Sequence, residues 1–87
     1  MASAKLNVSV ISPERVVYEG PADMVVAPAW DGELGILRGH APTLALLGRG
    51  RLRISDEGSE KRFLVESGFL QVENDRIRIL SERAAEG

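Results

Sequence analysis

The sequence predicts an all-β protein, a sandwich of two antiparallel sheets that has no helix of its own. Three observations favour this fold class. Apolar residues recur at every second position in most segments, which places them on one face of a strand. Turn-forming residues interrupt these segments at close intervals, and no helical periodicity joins them. With 87 residues, the chain is long enough for one domain with a single core.

The amino-terminal third predicts three strands. The first follows from Leu6, Val8 and Val10, which alternate with polar residues. A second strand is predicted over residues 15–19, where β-branched and aromatic residues precede a Gly-Pro pair. A third is predicted over 22–29, with a proline near its end.

The remainder of the chain predicts five more strands, over residues 43–48, 51–55, 61–67, 69–73 and 76–80. A D-E-G-S turn between the second and third of these is typical of a β-hairpin. The sequence after residue 80 has few apolar side chains. We therefore expect the domain to span 1–83 and residues 84–87 to form a loose tail.

Alternation along these strands predicts one core between two sheets, because a single flat sheet would leave an apolar face in water. The residues expected to point inward are Leu6, Val8, Val10, Val17, Val25, Leu46, Leu52, Ile54, Phe63, Val65, Leu70, Val72, Ile77 and Ile79. Phe69 is also expected to belong to the core.

Composition argues against several classes of protein. The 11 basic and 13 acidic residues nearly balance, whereas nucleic-acid-binding proteins carry a basic excess. Cysteine is absent, so the chain has neither disulfides nor a thiolate metal site. No apolar run approaches the ~20 residues that span a bilayer, and the first residues lack the apolar core of a secretory signal.

The segment D-G-E-L-G-I-L-R-G-H-A-P-T-L, residues 31–44, crowds three glycines, a proline and the only histidine between two apolar runs. His40 could act as a general base, but no G-x-S-x-G nucleophile motif accompanies it. The glycine spacing matches neither a dinucleotide fingerprint nor a P-loop. The pattern therefore favours tight turns, and we expect no catalytic residue, metal or cofactor.

Two other features suggest contact surfaces. Arg51 and Arg53 alternate with core residues on one strand, and Arg76 and Arg78 do so on another. If the two strands are near neighbours, they form a small basic face, either solvated or in contact with a protein or lipid headgroup. Trp30 directly precedes the glycine-rich segment, where it either plugs the end of the sandwich or anchors an interface.

The segment 31–44 resembles the signature of the epsilon subunit of F-type ATP synthases, called delta in mitochondria: an acidic-Gly-Glu-x-Gly-hydrophobic stretch followed by Gly-His-Ala-Pro. Three further stretches resemble the same family, V-S-V-I-S-P-E-R-V-V-Y-E-G, L-G-R-G-R-L-R-I and V-E-S-G-F-L-Q-V-E-N-D. Phe69 stands where the family usually has glycine or an aliphatic residue. The similarity covers nearly the whole chain in order.

The resemblance implies a sandwich of about ten short strands and a non-catalytic role in the central stalk. Such a subunit binds gamma and the c-ring, lies at the cytoplasmic face of the inner or plasma membrane as a peripheral protein, and couples ion flow to ATP synthesis or hydrolysis. By motif position, the c-ring contacts are Asp31, Glu33, Leu34 and Arg38. The residues on the gamma side are Ser12, His40, Ala41 and Pro42.

The chain departs from most members of this family at its carboxy terminus, since S-E-R-A-A-E-G stands about where a helical hairpin begins in them. The resemblance then implies either a short form or the amino-terminal domain only. In both cases we expect no ATP binding and no inhibition by a hairpin. The alternative function is a free-standing β-sandwich module that binds a peptide or glycan, and a hydrolase that uses His40 is a third possibility.

Overall fold

A computed structural model describes residues 5–87 and contains eight β-strands and no helix in that range. The strands are β1 Leu6–Ile11, β2 Val16–Ala22, β3 Met24–Ala29, β4 Gly32–Ile36, β5 Thr43–Leu46, β6 Gly50–Asp56, β7 Ser59–Glu73 and β8 Arg76–Glu86. The predicted all-β class is therefore confirmed.

The strands are hydrogen-bonded in the order β2-β1-β8-β7-β6-β3-β4, and β5 pairs with β7. The two long strands, β7 and β8, run through both layers of the sandwich. The β1 layer consists of β2, β1, residues 76–80 of β8, residues 69–73 of β7, and β5. The β6 layer consists of β4, β3, β6 and the remaining parts of β7 and β8.

The core lies between these layers. The ring of Tyr18 in the β1 layer is 5.6 Å from that of Phe63 in the β6 layer. All but two of the residues predicted to point inward are buried. The exceptions are Val17, which is half-buried, and Leu46, which is exposed because Leu47 turns inward in its place. Phe69 also points outward, since its neighbours on β7 alternate with it.

A corner in β7 and β8 lets both strands change layers. Ser67 and Gly68 have positive φ values of 62° and 118°, and a Cβ atom on residue 68 would overlap the Leu80 carbonyl oxygen. The Ser81 hydroxyl is buried at this corner and accepts a hydrogen bond of 3.0 Å from the Glu66 N–H. It therefore satisfies backbone that the interrupted ladder leaves unpaired.

Three expectations about the fold were wrong. The structure has eight strands where the resemblance implies about ten. The two stretches that the sequence divides at Ser67 form the single strand β7, and Gly32–Ile36, where no strand was predicted, forms β4. Residues 84–86, expected to be loose, pair with Phe63–Val65 as the end of β8, so backbone hydrogen bonds replace the missing apolar contacts. The sheet is also not wholly antiparallel, because β1 and β8 run parallel.

Candidate functional site

An apolar row crosses the outer face of the β1 layer. Direct pairing aligns one outward residue from each of five strands: Val16, Ile11, Leu80, Phe69 and Leu46. The exposed fractions are 52% for Val16, 42% for Phe69 and 61% for Leu46, and the two middle residues are half-buried. Burying these apolar side chains against a partner would be favourable, because it removes apolar surface from water.

The rest of this outer face is mostly polar. The row next to the apolar one contains Glu19, Ser9, Arg78 and Gln71, aligned across β2, β1, β8 and β7. Its fifth member, on β5, is Leu44, which is 70% exposed. The outer face is therefore amphipathic along the strand direction, apolar at one end and mixed in charge toward the other.

The β3–β4 hairpin carries the first part of the 31–44 segment. Ala29 and Gly32 form its last pair, so Trp30 and Asp31 are the two residues of the turn. Trp30 is 70% exposed, which rules out its role as a plug for the sandwich. Glu33 follows on β4, and its Oε1 lies 3.5 Å from Nη2 of Arg53 in an exposed ion pair.

The four residues predicted to contact the c-ring do not form one cluster. Asp31 and Glu33 lie at the hairpin tip, and Leu34 is half-buried against the core. Arg38 follows the opposite end of β4, and β4 alone separates Gly32 from Ile36 by about 13 Å.

The residues predicted to face gamma also divide between two places. Ser12 closes the β1–β2 turn, where its N–H donates to the Arg15 carbonyl oxygen over 2.9 Å and its hydroxyl donates to the same oxygen over 3.2 Å. This turn directly follows Ile11, so Ser12 borders the apolar row.

His40 stands in a tight turn at the far end of the same layer. Its N–H donates to the Leu37 carbonyl oxygen over 3.2 Å, and its ring Nδ1 lies 2.8 Å from the Ala41 carbonyl oxygen. The turn is fastened to the β7–β8 turn by a 2.8 Å hydrogen bond from the Gly39 N–H to Asp75 Oδ1. Ala41 and Pro42 are exposed and lead into β5.

The basic face that two pairs of arginines could have formed does not exist. Arg51 and Arg53 lie opposite Leu64 and Arg62 in the β6 layer. The other pair, Arg76 and Arg78, lies opposite Glu73 and Gln71 in the β1 layer. The long β7 strand separates the two pairs, so each is a small part of a surface of mixed charge.

A cluster of charges joins two turns to the start of β1 at the edge of the sandwich. Lys5 Nζ lies 3.2 Å from Asp23 and 3.1 Å from Glu57, and it also bonds Asp56. The hydrogen bond with Asp56 is the main cause that raises the pKa of Lys5. A 2.8 Å hydrogen bond from the Glu57 N–H lowers the pKa of Asp23.

Sequence reasoning missed the apolar row because its members are distant in sequence. Phe69 and Leu46 were expected in the core, and Ile11, Val16 and Leu80 were not singled out. A sequence signal existed for Phe69, because Leu70 and Val72 fix the inward positions of β7 by alternation. Only the strand pairing shows that the five side chains form one row.

Within the described range, no helix has the length and apolar character that a membrane crossing requires. In the same residues, no group of three or more His, Asp or Glu side chains is placed to hold a metal ion.

Comparison with known proteins gives a consistent result. The family model for the β-sandwich domain of the ATP synthase delta/epsilon chain matches residues 5–87. The ATP synthase epsilon chain of Synechococcus sp. (strain JA-2-3B'a(2-13)) is 43% identical over 82 residues, which cover 94% of this chain and 60% of the relative. That of Leptospira borgpetersenii serovar Hardjo-bovis (strain JB197) is 45% identical over 85 residues, 98% of this chain and 67% of the relative.

Solved structures share the fold. A chain in the cryo-EM structure of the Euglena gracilis mitochondrial ATP synthase (OSCP, F1 and c-ring) superposes with a TM-score of 0.89 at 22% identity, covering 97% of this chain and 54% of that one. A chain in the central stalk and c-ring of the Tetrahymena thermophila mitochondrial ATP synthase gives a TM-score of 0.75 at 20% identity, with coverages of 97% and 68%. This chain thus spans only part of the length of its relatives.

Proposed function

The chain belongs to the ATP synthase delta/epsilon β-sandwich family, and on that premise we propose that it is a non-catalytic stalk subunit of a rotary ATP synthase. It binds a gamma subunit through one face and the c-ring through its β3–β4 hairpin. In this role it makes and breaks no covalent bond, and it couples ion flow to ATP synthesis or hydrolysis by holding two partners in register. It reaches the membrane only through the complex.

The observation that carries this proposal is the apolar row on the outer face of the β1 layer. Five outward apolar side chains in one line are unfavourable in water and typical of a protein interface. Ser12 borders the row at one end of the layer, and the His40–Pro42 turn lies at the other end. A gamma subunit that contacts both must cover the face between them.

We assign the hairpin tip, with Asp31 and Glu33, to the c-ring. Both side chains are exposed. Leu34 supports the tip by packing against the core, and Arg38 belongs with His40 on the gamma side because β4 separates it from the tip. The Glu33–Arg53 ion pair is exposed, so exchanging it for a partner's charge costs little free energy.

Rigidity suits the sandwich to transmit torque. The Trp30 N–H at the tip donates to the Leu46 carbonyl oxygen, and the Gly39 N–H in the His40 turn donates to the Asp75 carboxylate. Preorganised surfaces lose little conformational entropy on binding, so more of the contact free energy remains as affinity.

Calorimetric titration of the chain into the purified gamma subunit of the same organism, with and without ATP, tests this function. We expect stoichiometric binding that is the same with and without ATP, because residues 5–87 match the β-sandwich domain of the family and nothing in the proposed interface involves a nucleotide. Absence of heat, supported by separate elution in gel filtration, would contradict the proposal. Titration with peptides and glycans would then test the binding-module alternative.

A further inference from the structure

We propose that Trp30 is the apolar anchor by which the hairpin tip grips a loop of the c-ring, an inference that rests on the function proposed above. Trp30 shares its two-residue turn with Asp31, so a partner that meets the Asp31 carboxylate also meets the indole. Tryptophan is, with tyrosine and arginine, one of the residue types enriched at interface positions whose truncation costs the most binding free energy.

The backbone of Trp30 is fixed although its side chain is free. Its N–H donates to the Leu46 carbonyl oxygen over 3.0 Å, and Ala29 beside it forms a bridge with Leu47. Gly48 packs so closely against this backbone that a Cβ atom there would lie 2.8 Å from the Ala29 oxygen and 3.3 Å from Trp30 Cα. The indole is therefore displayed from a rigid support, which reduces the entropy lost on binding.

Neighbouring charges define the chemistry of the loop that fits. Asp31 and Glu33 give the tip two carboxylates, and only Glu33 has a cationic side chain within ion-pair distance in the described structure. A guanidinium or ammonium group can bond these carboxylates while stacking on the indole face, a combination that the described structure leaves unused. We therefore expect a ring loop that presents a basic side chain beside apolar groups.

Hydroxyl-radical footprinting with mass spectrometry can test this assignment, since the chain contains a single tryptophan. Three samples are compared: the chain alone, its complex with gamma, and the assembled synthase. Phe69 reports coverage of the apolar row. Met24, 37% exposed on β3, serves as a reference outside both proposed interfaces.

Trp30 is expected to remain reactive in the gamma complex and to lose its reactivity in the assembled synthase. Phe69 is expected to be protected in both complexes, and Met24 in neither. Protection of Trp30 by gamma alone would overturn the assignment to the ring, and a reactive Trp30 in the synthase would overturn its role as an anchor. An unprotected Phe69 in the gamma complex would instead contradict the proposed function.

Substitution separates the two partners further. Trp30→Ala is expected to weaken binding to the gamma–c-ring rotor on the order of 30-fold while leaving binding to isolated gamma unchanged. Trp30→Phe should restore most of the lost affinity, because an aromatic face remains. Equal affinity of wild type and Trp30→Ala for the rotor would overturn the inference.

Discussion

The two outer faces of the sandwich are built on different principles. Across the β1 layer, five apolar side chains form a row, and residues 5–87 leave three of them exposed: Val16, Phe69 and Leu46. Across the β6 layer, Leu64 is also exposed, but charged side chains pair with one another, as Glu33 does with Arg53 and Glu60 does with Arg62, 3.4 Å apart. Both faces enclose the same core, so the core does not require the difference.

This contrast separates folding from binding. The inward residues of both layers are buried within the chain itself, and the apolar row adds nothing to that core. A row of exposed apolar side chains lowers solubility, whereas a face of paired charges is compatible with water. We therefore propose that a partner covers the outer face of the β1 layer, whereas the β6 layer remains in water.

The largest effect is expected from Leu52→Asp, because unfolding the core eliminates both outer faces together. Leu52 is fully buried, and an unpaired carboxylate there costs about 4–5 kcal/mol or shifts its own protonation. A chain of this length is stable by roughly 4–13 kcal/mol, so most or all of the native state is lost. Circular dichroism should show no cooperative thermal transition, and a normal melt would mean that the inward face of β6 is misassigned.

Gly68→Ala should damage the corner that joins the layers. The positive φ of Gly68 strains any residue with a Cβ atom, and the atom would also collide with the Leu80 carbonyl group. We expect the free energy of unfolding, measured by urea denaturation, to fall by more than about 2 kcal/mol.

Gly58→Ala is the matched control for the corner. Its φ is 85°, but no atom lies within 4 Å of the added Cβ, so it reports conformational strain alone. A loss of about 1 kcal/mol is expected. Equal losses for the two variants would show that the collision with Leu80 is relieved by a small shift.

Glu33→Arg tests the hairpin tip. Loss of an exposed ion pair changes stability by less than about 1 kcal/mol, so the melting temperature should hardly move. Repulsion from a basic ring loop should lower ATP-driven ion pumping at an equal rate of ATP hydrolysis. Glu60→Arg removes a similar exposed pair away from the tip and should leave pumping normal. Unchanged pumping by Glu33→Arg would count against the assignment of the tip.

The smallest effect is expected from Asp23→Asn, which affects the charge cluster at the edge. The folded pKa of Asp23 lies below its ordinary value of 3.8, mainly through the Glu57 N–H, so its charge stabilises the fold above that value. This contribution disappears as the pH falls through the folded pKa. Urea midpoints should therefore fall less between pH 7 and pH 3 for the variant than for wild type. An equal fall of the urea midpoint in both proteins would show that the Asp23 carboxylate does not stabilise the folded state over the unfolded one.

Sequence reasoning succeeded where alternation is local. Leu6, Val8 and Val10 predict a strand and its inward face without further information, and so do Leu52 and Ile54. It failed where the chain crosses between layers, because Ser67-Gly68 has the composition of a turn but acts as a corner within one strand. The prediction of a loose tail was wrong for a related reason. Residues 84–86 have few apolar side chains, but backbone hydrogen bonds to β7 hold them as the end of β8.

The candidate site divides in the same way. Glycines and a proline marked residues 31–44 as a region of tight turns, and motif position in the resembling family selected Asp31, Glu33 and His40 within it. In the structure Asp31 and Glu33 are exposed, and His40 lies in a turn. The apolar row depends on the register between β1, β8, β7 and β5, and no single segment contains that register. Which of these residues contact gamma or the c-ring stays a prediction.

The most direct test compares one apolar substitution on each outer face in calorimetric binding to gamma. Phe69→Asp alters the apolar row, and Leu64→Asp alters a residue of similar exposure, 48% against 42%, on the outer face of the β6 layer. Both variants should fold, because neither side chain belongs to the buried core. Phe69→Asp is expected to weaken binding on the order of 100-fold and Leu64→Asp to leave it unchanged. Equal affinities for two well-folded variants would show that the apolar row is not the face that gamma binds.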